Sequence, residues 1–201
     1  MNTDNLQEIL EIVSISDAKI QLNLNQKNKG LNIDNLVSKL LQYITLQSLT
    51  IDLKFVYQML DDFNKIFQAL PQLRNLLFLD IDLSNNKIDQ NVCKDLGDYL
   101  SQCKNLIRIN LDLNNNSICC LGISYLATSF LQTMYLKELY LNLSYNIIND
   151  EGLIHLGNSF SKYPSIIISK IFLWVNENSA RGYKYFLNQL KKSKKLVNYK
   201  N

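Results

Sequence analysis

The chain has 201 residues, 47% of them apolar and 19% charged, with a formal net charge of +3. That is enough apolar material for one domain with a sizeable core, and too much for an intrinsically disordered chain. No apolar run approaches the ~20 residues of a membrane-crossing helix, and the start, with Asp4 and Glu8, lacks the basic-then-apolar layout of a secretory leader, so a cytoplasmic or nuclear home is expected.

In chain order, the first predicted element is an N-terminal capping helix within residues 1–16. Asp4 and Gln7 have capping-box spacing, and Leu6, Ile9, Leu10 and Val13 form an apolar face. From residue 17 to residue 195 one motif recurs. Ile20, Leu22 and Leu24 open it, in phase with the next copy if one residue is missing from the intervening turn. Leu46, Leu49, Ile51 and Leu53 follow, with Val56 where later copies carry asparagine. Three segments then superpose without a gap: Leu76-x-x-Leu79-x-Ile81-x-Leu83-x-x-Asn86-x-Ile88, Leu106-x-x-Ile109-x-Leu111-x-Leu113-x-x-Asn116-x-Ile118, and Leu136-x-x-Leu139-x-Leu141-x-Leu143-x-x-Asn146-x-Ile148. The period is 30 residues. Ile166, Ile171, Leu173 and Asn176 continue it, with Ser169 replacing one apolar residue, which makes six copies in all.

The alternating leucines predict a strand. The second half of each copy predicts a helix. Ile66 and Leu70, Leu96 and Leu100, Leu126 and Phe130, Leu156 and Phe160, and Phe186 and Leu190 recur in register at helical spacing. Gly122, Gly152 and Gly182 near the helix starts predict close backbone packing. Neither strand nor helix covers its apolar side alone, so neighbouring copies must stack. Between them the chain bends inside the core. There the amides of Asn86, Asn116, Asn146 and Asn176 are expected to satisfy backbone groups of adjoining turns.

The pattern LxxLxLxLxxNxI followed by an amphipathic helix resembles the leucine-rich repeat, in its helix-bearing ribonuclease-inhibitor-like class. One departure is an extra apolar–polar pair, which lengthens the strand. The resemblance implies an α/β horseshoe solenoid of about six 30-residue repeats, with a parallel sheet lining the concave side and helices on the convex side. It implies protein–protein recognition, a scaffold role and no catalytic residues.

On that frame, residues between the buried leucines face the concave side and line up in columns. The columns run Thr50, Asp80, Asn110, Tyr140, Lys170; then Asp52, Asp82, Asp112, Asn142, Phe172; then Lys54, Ser84, Asn114, Ser144, Trp174. The stacked aspartates Asp52, Asp82 and Asp112, with Asp80 beside them, repel by about 0.9 kcal/mol per adjacent pair in water. They are either a solvated polar face or a seat for a basic segment. Tyr140, Phe172 and Trp174 gather toward the C-terminal strands and suit an apolar anchor. The expected partner is therefore a protein carrying a basic segment and an apolar group, bound by a chain that is monomeric outside a complex.

No cofactor, metal or small-molecule substrate is expected. His155 is the single histidine; nucleophile elbows, glycine-rich phosphate loops and metal-spaced clusters do not occur. Cys93, Cys103, Cys119 and Cys120 read as buried thiols. Lys191, Lys192, Lys194, Lys195 and Lys200 make the end basic, and residues 196–201 are expected to be a solvated tail. Contact with nucleic acid or an anionic membrane through those lysines is the lesser reading. A regulatory or targeting role within a larger assembly is the other alternative.

Overall fold

The computed structural model describes residues 13–16, 18–24, 32–56, 60–162, 168–192 and 196–200. Its strands are β1 (Val13–Ser16), β2 (Lys19–Asn23), β3 (Ser48–Asp52), β4 (Phe78–Asp82), β5 (Arg108–Asp112), β6 (Glu138–Asn142), β7 (Ile168–Phe172) and β8 (Leu196–Lys200). Its α-helices are α1 (Ile33–Leu40), α2 (Leu60–Ala69), α3 (Gln90–Gln102), α4 (Cys120–Phe130), α5 (Asp150–Ser161) and α6 (Ala180–Lys192).

The strands form one sheet in chain order. β1 is antiparallel to β2, and every later neighbour pairs in parallel. Leu49 faces Leu79, Leu79 faces Ile109, and Ile109 faces Leu139, each at the 30-residue period of the sequence. Ile20 faces Leu49, one residue short of that period, as the missing turn residue requires. The chain is thus an α/β protein with a leucine-rich-repeat-like fold.

Two expectations at the ends are corrected. Val13–Ser16, assigned to a capping helix, is a strand; the rest of that helix lies outside the described residues. Leu196–Lys200, expected as a tail, is the edge strand β8. The physical reason is common to both. Val13 and Ile15, like Leu196, Val197 and Tyr199, are residues that favour strands, and each segment meets a neighbour offering an unpaired row of backbone groups.

Burial follows the pleat. Leu49 and Ile51, Leu79 and Ile81, Ile109 and Leu111, and Leu139 and Leu141 are all buried. They pack against Cys93, Leu96 and Leu100 of α3, Ile123, Leu126 and Phe130 of α4, and Leu153, Leu156 and Phe160 of α5 in one continuous core. The alternate strand residues lie on the face away from the helices. Capping starts the helices where the sequence supplies an oxygen. Asp89 accepts from the N–H groups of Asn91 and Val92 at 2.8 and 3.1 Å, and Asn149 accepts from that of Gly152 at 3.1 Å.

The repeated asparagines behave as expected and bind consecutive turns together. Asn146 Nδ2 donates to the Leu113 and Leu143 carbonyls at 2.9 and 3.0 Å, while its Oδ1 accepts from the Ile118 N–H at 3.0 Å. Asn116 and Asn176 repeat the pattern toward Ile88 and Ile148. In the copy where Val56 replaces asparagine, Asn86 of the next turn accepts from the Val56 N–H at 2.7 Å.

The glycines mark where helix backbones touch. A Cβ on Gly152 would stand 2.8 Å from Ile148 Cγ2, 3.0 Å from Ile123 Cγ2 and 3.2 Å from the Cys120 Cα. Gly152→Ala is therefore expected to destabilise the protein by about 1–3 kcal/mol, measured by urea unfolding. Unchanged stability would mean that α4 and α5 are less tightly apposed than this.

Candidate protein-binding face

Of the residues singled out from the sequence, Asp52, Asp80, Asp82, Asp112, Tyr140 and Phe172 alternate with the buried strand residues, and the register places them; Trp174 follows the end of β7. Asp52, Asp82 and Asp112 are successive neighbours, followed by Asn142 and Phe172. Asp80 lies between Thr50 and Asn110, and Tyr140 lies beside Lys170.

The aspartate column has a local cause. Each carboxylate accepts the N–H two residues on: Asp52 from Lys54 at 3.1 Å, Asp82 from Ser84 at 3.0 Å, Asp112 from Asn114 at 2.9 Å. Asn142 does the same for Ser144 at 3.2 Å. The side chains thus stabilise the bend after each strand as Asx-turns do, and the neutral Asn142 performs the task without charge. The expected mutual repulsion is also relieved within the protein. Lys54 Nζ lies 3.0 Å from Asp82, and the hydrogen bond to Asp82, with its charge, raises the Lys54 pKa. Arg108 Nη2 lies 3.4 Å from Asp80, with the guanidinium carbon 5.1 Å from the centre of the Phe78 ring. Asn142 donates to Asp112 at 3.2 Å. Burial nevertheless holds the Asp112 carboxyl above its usual range, against the hydrogen bonds from Asn114 and Asn142.

The aromatic residues divide into two contacts. Lys170 Nζ sits 5.2 Å from the Tyr140 ring centroid, within cation–π range. Phe172 and Trp174 meet edge to face, with centroids 6.4 Å apart. Trp174 is 42% exposed, and its backbone N–H is held by Ser144 Oγ at 3.2 Å. The third column is corrected in part: Ser84 and Ser144 are buried. The strands end at Asp82 and Asn142, so alternation no longer applies beyond them.

Two further columns were missed. One is Ser48, Phe78, Arg108, Glu138 and Ile168, at the first position of each strand. The other borders the face at the bend: Phe55, Asn85, Asn115, Tyr145 and Val175, all with φ between 51° and 59°. The signal was present, since these residues immediately precede Val56, Asn86, Asn116, Asn146 and Asn176. Left-handed backbone costs an L-residue roughly 1–2 kcal/mol, least for asparagine and most for a β-branched or bulky side chain. Asn85 and Asn115 fit the position, and the Asn115 amide donates to Asn85 Oδ1 at 2.9 Å. Phe55, Tyr145 and Val175 do not fit it, and they project as exposed apolar groups; Tyr145 is 50% and Val175 64% exposed, beside Trp174. Strain of this kind gathers at functional surfaces. Val175→Asn is expected to raise stability by about 1 kcal/mol, seen as a higher urea midpoint; a lower one would show that Val175 makes a stabilising contact.

Other reactive groups stand apart. Burial pushes the Cys93 thiol up and the Cys103 thiol up to about 12, so both stay protonated at neutral pH. Contrary to the expectation of four buried thiols, Cys119 and Cys120 are partly exposed where α4 begins. His155 lies on the exposed side of α5, 3.9 Å from Glu151. Among the described residues no three of His, Cys, Asp and Glu are grouped to hold a metal ion, and no described helix is long and apolar enough to cross a membrane.

No protein-family model matches the chain, and no curated protein does. Solved structures do. The tropomodulin C-terminal domain of Caenorhabditis elegans superposes with a TM-score of 0.60 at 11% identity, covering 82% of this chain and 94% of that one. Actin-Binding Site 2 of leiomodin-1 superposes with a TM-score of 0.53 at 15% identity, covering 81% of this chain and 87% of that one. At such identities the likeness establishes the fold alone. It also corrects the class expected from the sequence: these neighbours are tropomodulin and leiomodin domains, not ribonuclease-inhibitor-like proteins.

Proposed function

We propose that this chain is a non-catalytic protein-binding module, a solenoid of six leucine-rich units that holds its partner at the C-terminal end of a concave, helix-free face. The observation that carries this reading is the strained rim. Tyr145 and Val175 keep left-handed backbone that asparagine would adopt more easily, and both are exposed; the Tyr145 N–H donates to the Trp174 carbonyl at 2.7 Å, and Val175 follows Trp174 in the chain. Rigid aromatics with surface open to a partner are effective anchors because little side-chain entropy is lost on binding; Trp174 is exposed, and Tyr140 and Phe172 are half-buried. Tyr140, Phe172 and Trp174 are the contact residues in this reading. Asp52, Asp80, Asp82 and Asp112 form the polar flank. The case for a basic partner segment weakens, because Lys54 and Arg108 already accompany the carboxylates.

Actin is the first partner to test, since the leiomodin-1 domain of similar fold is an actin-binding site. The module acts in the cytoplasm, alone or as the binding unit of a larger assembly. Purified protein is expected to co-sediment with filamentous actin or to form a complex with monomeric actin on gel filtration. The Phe172→Ala, Trp174→Ala double variant is expected to do neither. Absence of both forms of binding would remove actin as the partner. Equal binding by the double variant would remove the concave face as the site.

A further inference from the structure

The charges on the helix-free face are not evenly committed. In the middle of the sheet, Asp82 has Lys54 at 3.0 Å and Asp80 has Arg108 at 3.4 Å. Asp52 and Asp112 are engaged by the N–H groups of their own bends. At the C-terminal end the balance reverses. Lys170 rests on the Tyr140 ring, and among the described residues no carboxylate pairs with it. Glu138, on the same strand as Tyr140, faces Ile168 in the register. On the other side of β7, Asn198 of β8 stands opposite Lys170 in the register. Phe172 and Trp174 lie in the same quarter of the face, and the rim beside them is apolar.

Resting on the concave-face reading above, we infer that the partner docks here with an acidic, apolar segment, its carboxylate received by Lys170 and its apolar side chain seated on Phe172 and Trp174. A lysine held against an aromatic ring is already partly desolvated, so bringing in a carboxylate costs less than at a fully hydrated lysine and restores a full ion pair. A basic segment would instead meet Lys170 as a like charge while its apolar group sought the same aromatics, and such juxtaposition disfavours binding. The aspartate column, supplied with internal cations and donors, gives no comparable pull toward a basic segment.

The test is selection of a displayed random-peptide library on the immobilised protein, on Lys170→Glu and on Trp174→Ala, each first shown by circular dichroism to be folded. The expected enrichment combines Asp or Glu with Phe, Trp or Leu. On Lys170→Glu it shifts to Lys or Arg with the same apolar residues, and on Trp174→Ala it is lost. A synthetic peptide of the enriched type is expected to bind about tenfold more tightly than its Glu→Lys counterpart. Enrichment that depends on Trp174 but is basic, or blind to charge, overturns the acidic segment and leaves the concave face standing. Enrichment indifferent to Trp174, or none at all, overturns both.

Discussion

Asn146→Ala is expected to lower the unfolding free energy by about 3 kcal/mol, or roughly 6–12 °C in Tm for a chain of this size. Asn146 is buried among apolar residues, so water cannot replace what it supplies. Its Oδ1 is the acceptor for the Ile118 N–H, and truncation leaves that donor buried and unpaired, which alone costs ~1–3 kcal/mol. The carbonyls of Leu113 and Leu143 each lose one of two amide donors, retaining those of Asn116 and Asn176, for a smaller loss apiece. Asn146→Asp is not a rescue. A carboxylate can accept from Ile118 but cannot donate to the carbonyls, and ionising it there is unfavourable. Its folded-state pKa is therefore expected to lie above the ordinary value. The ionisation penalty is absent below the unfolded pKa and complete above the folded one, so this variant recovers stability as the pH falls. Asn176→Ala should cost less, because that residue sits at a more exposed turn. Equal losses at Asn146 and Asn176 would show that burial does not set the size of the effect.

Trp174→Ala is expected to weaken partner binding about 30-fold, equivalent to some 2 kcal/mol, with no large change in stability. The indole is one of the exposed aromatics of the face and is steadied by Phe172 and by its own backbone bond to Ser144. Removing it takes away the anchor and frees Phe172 to move. Asp82→Asn is the informative control. The amide keeps an oxygen for the Ser84 N–H and loses the charge and the acceptor oxygen that face Lys54, a partly exposed pair of the kind worth ~0–1 kcal/mol. Binding is expected to change little. A larger loss from Asp82→Asn than from Trp174→Ala would restore the acidic column as the contact surface.

Much of the fold was legible because burial imposes phase. Leu79, Ile109 and Leu139 must alternate to fill one core, and Asn86, Asn116 and Asn146 must recur because each bend buries the same backbone groups. What escaped was set by neighbours instead of by local pattern. β1 and β8 exist because an open sheet edge recruits them, which a reading of their own residues as helix and tail could not register. The neutralisation of Asp80 depends on Arg108, which stands in a column one step outside those first aligned. Ser84 and Ser144 were placed outward by extending strand alternation past the point where the strand ends. At the rim, Asn85 and Asn115 announce left-handed backbone, whereas Phe55, Tyr145 and Val175 conceal it, since such residues seldom occupy that conformation.

The most direct test of a concave binding face is comparative affinity capture from a lysate of cells that express the protein. The baits are the intact chain and a Tyr140→Ala, Phe172→Ala, Trp174→Ala variant matched to it by circular dichroism. The account predicts a protein retained by the intact chain and lost by the variant. A protein retained equally by both would contradict it and move the site to the helical side or to the chain's basic end.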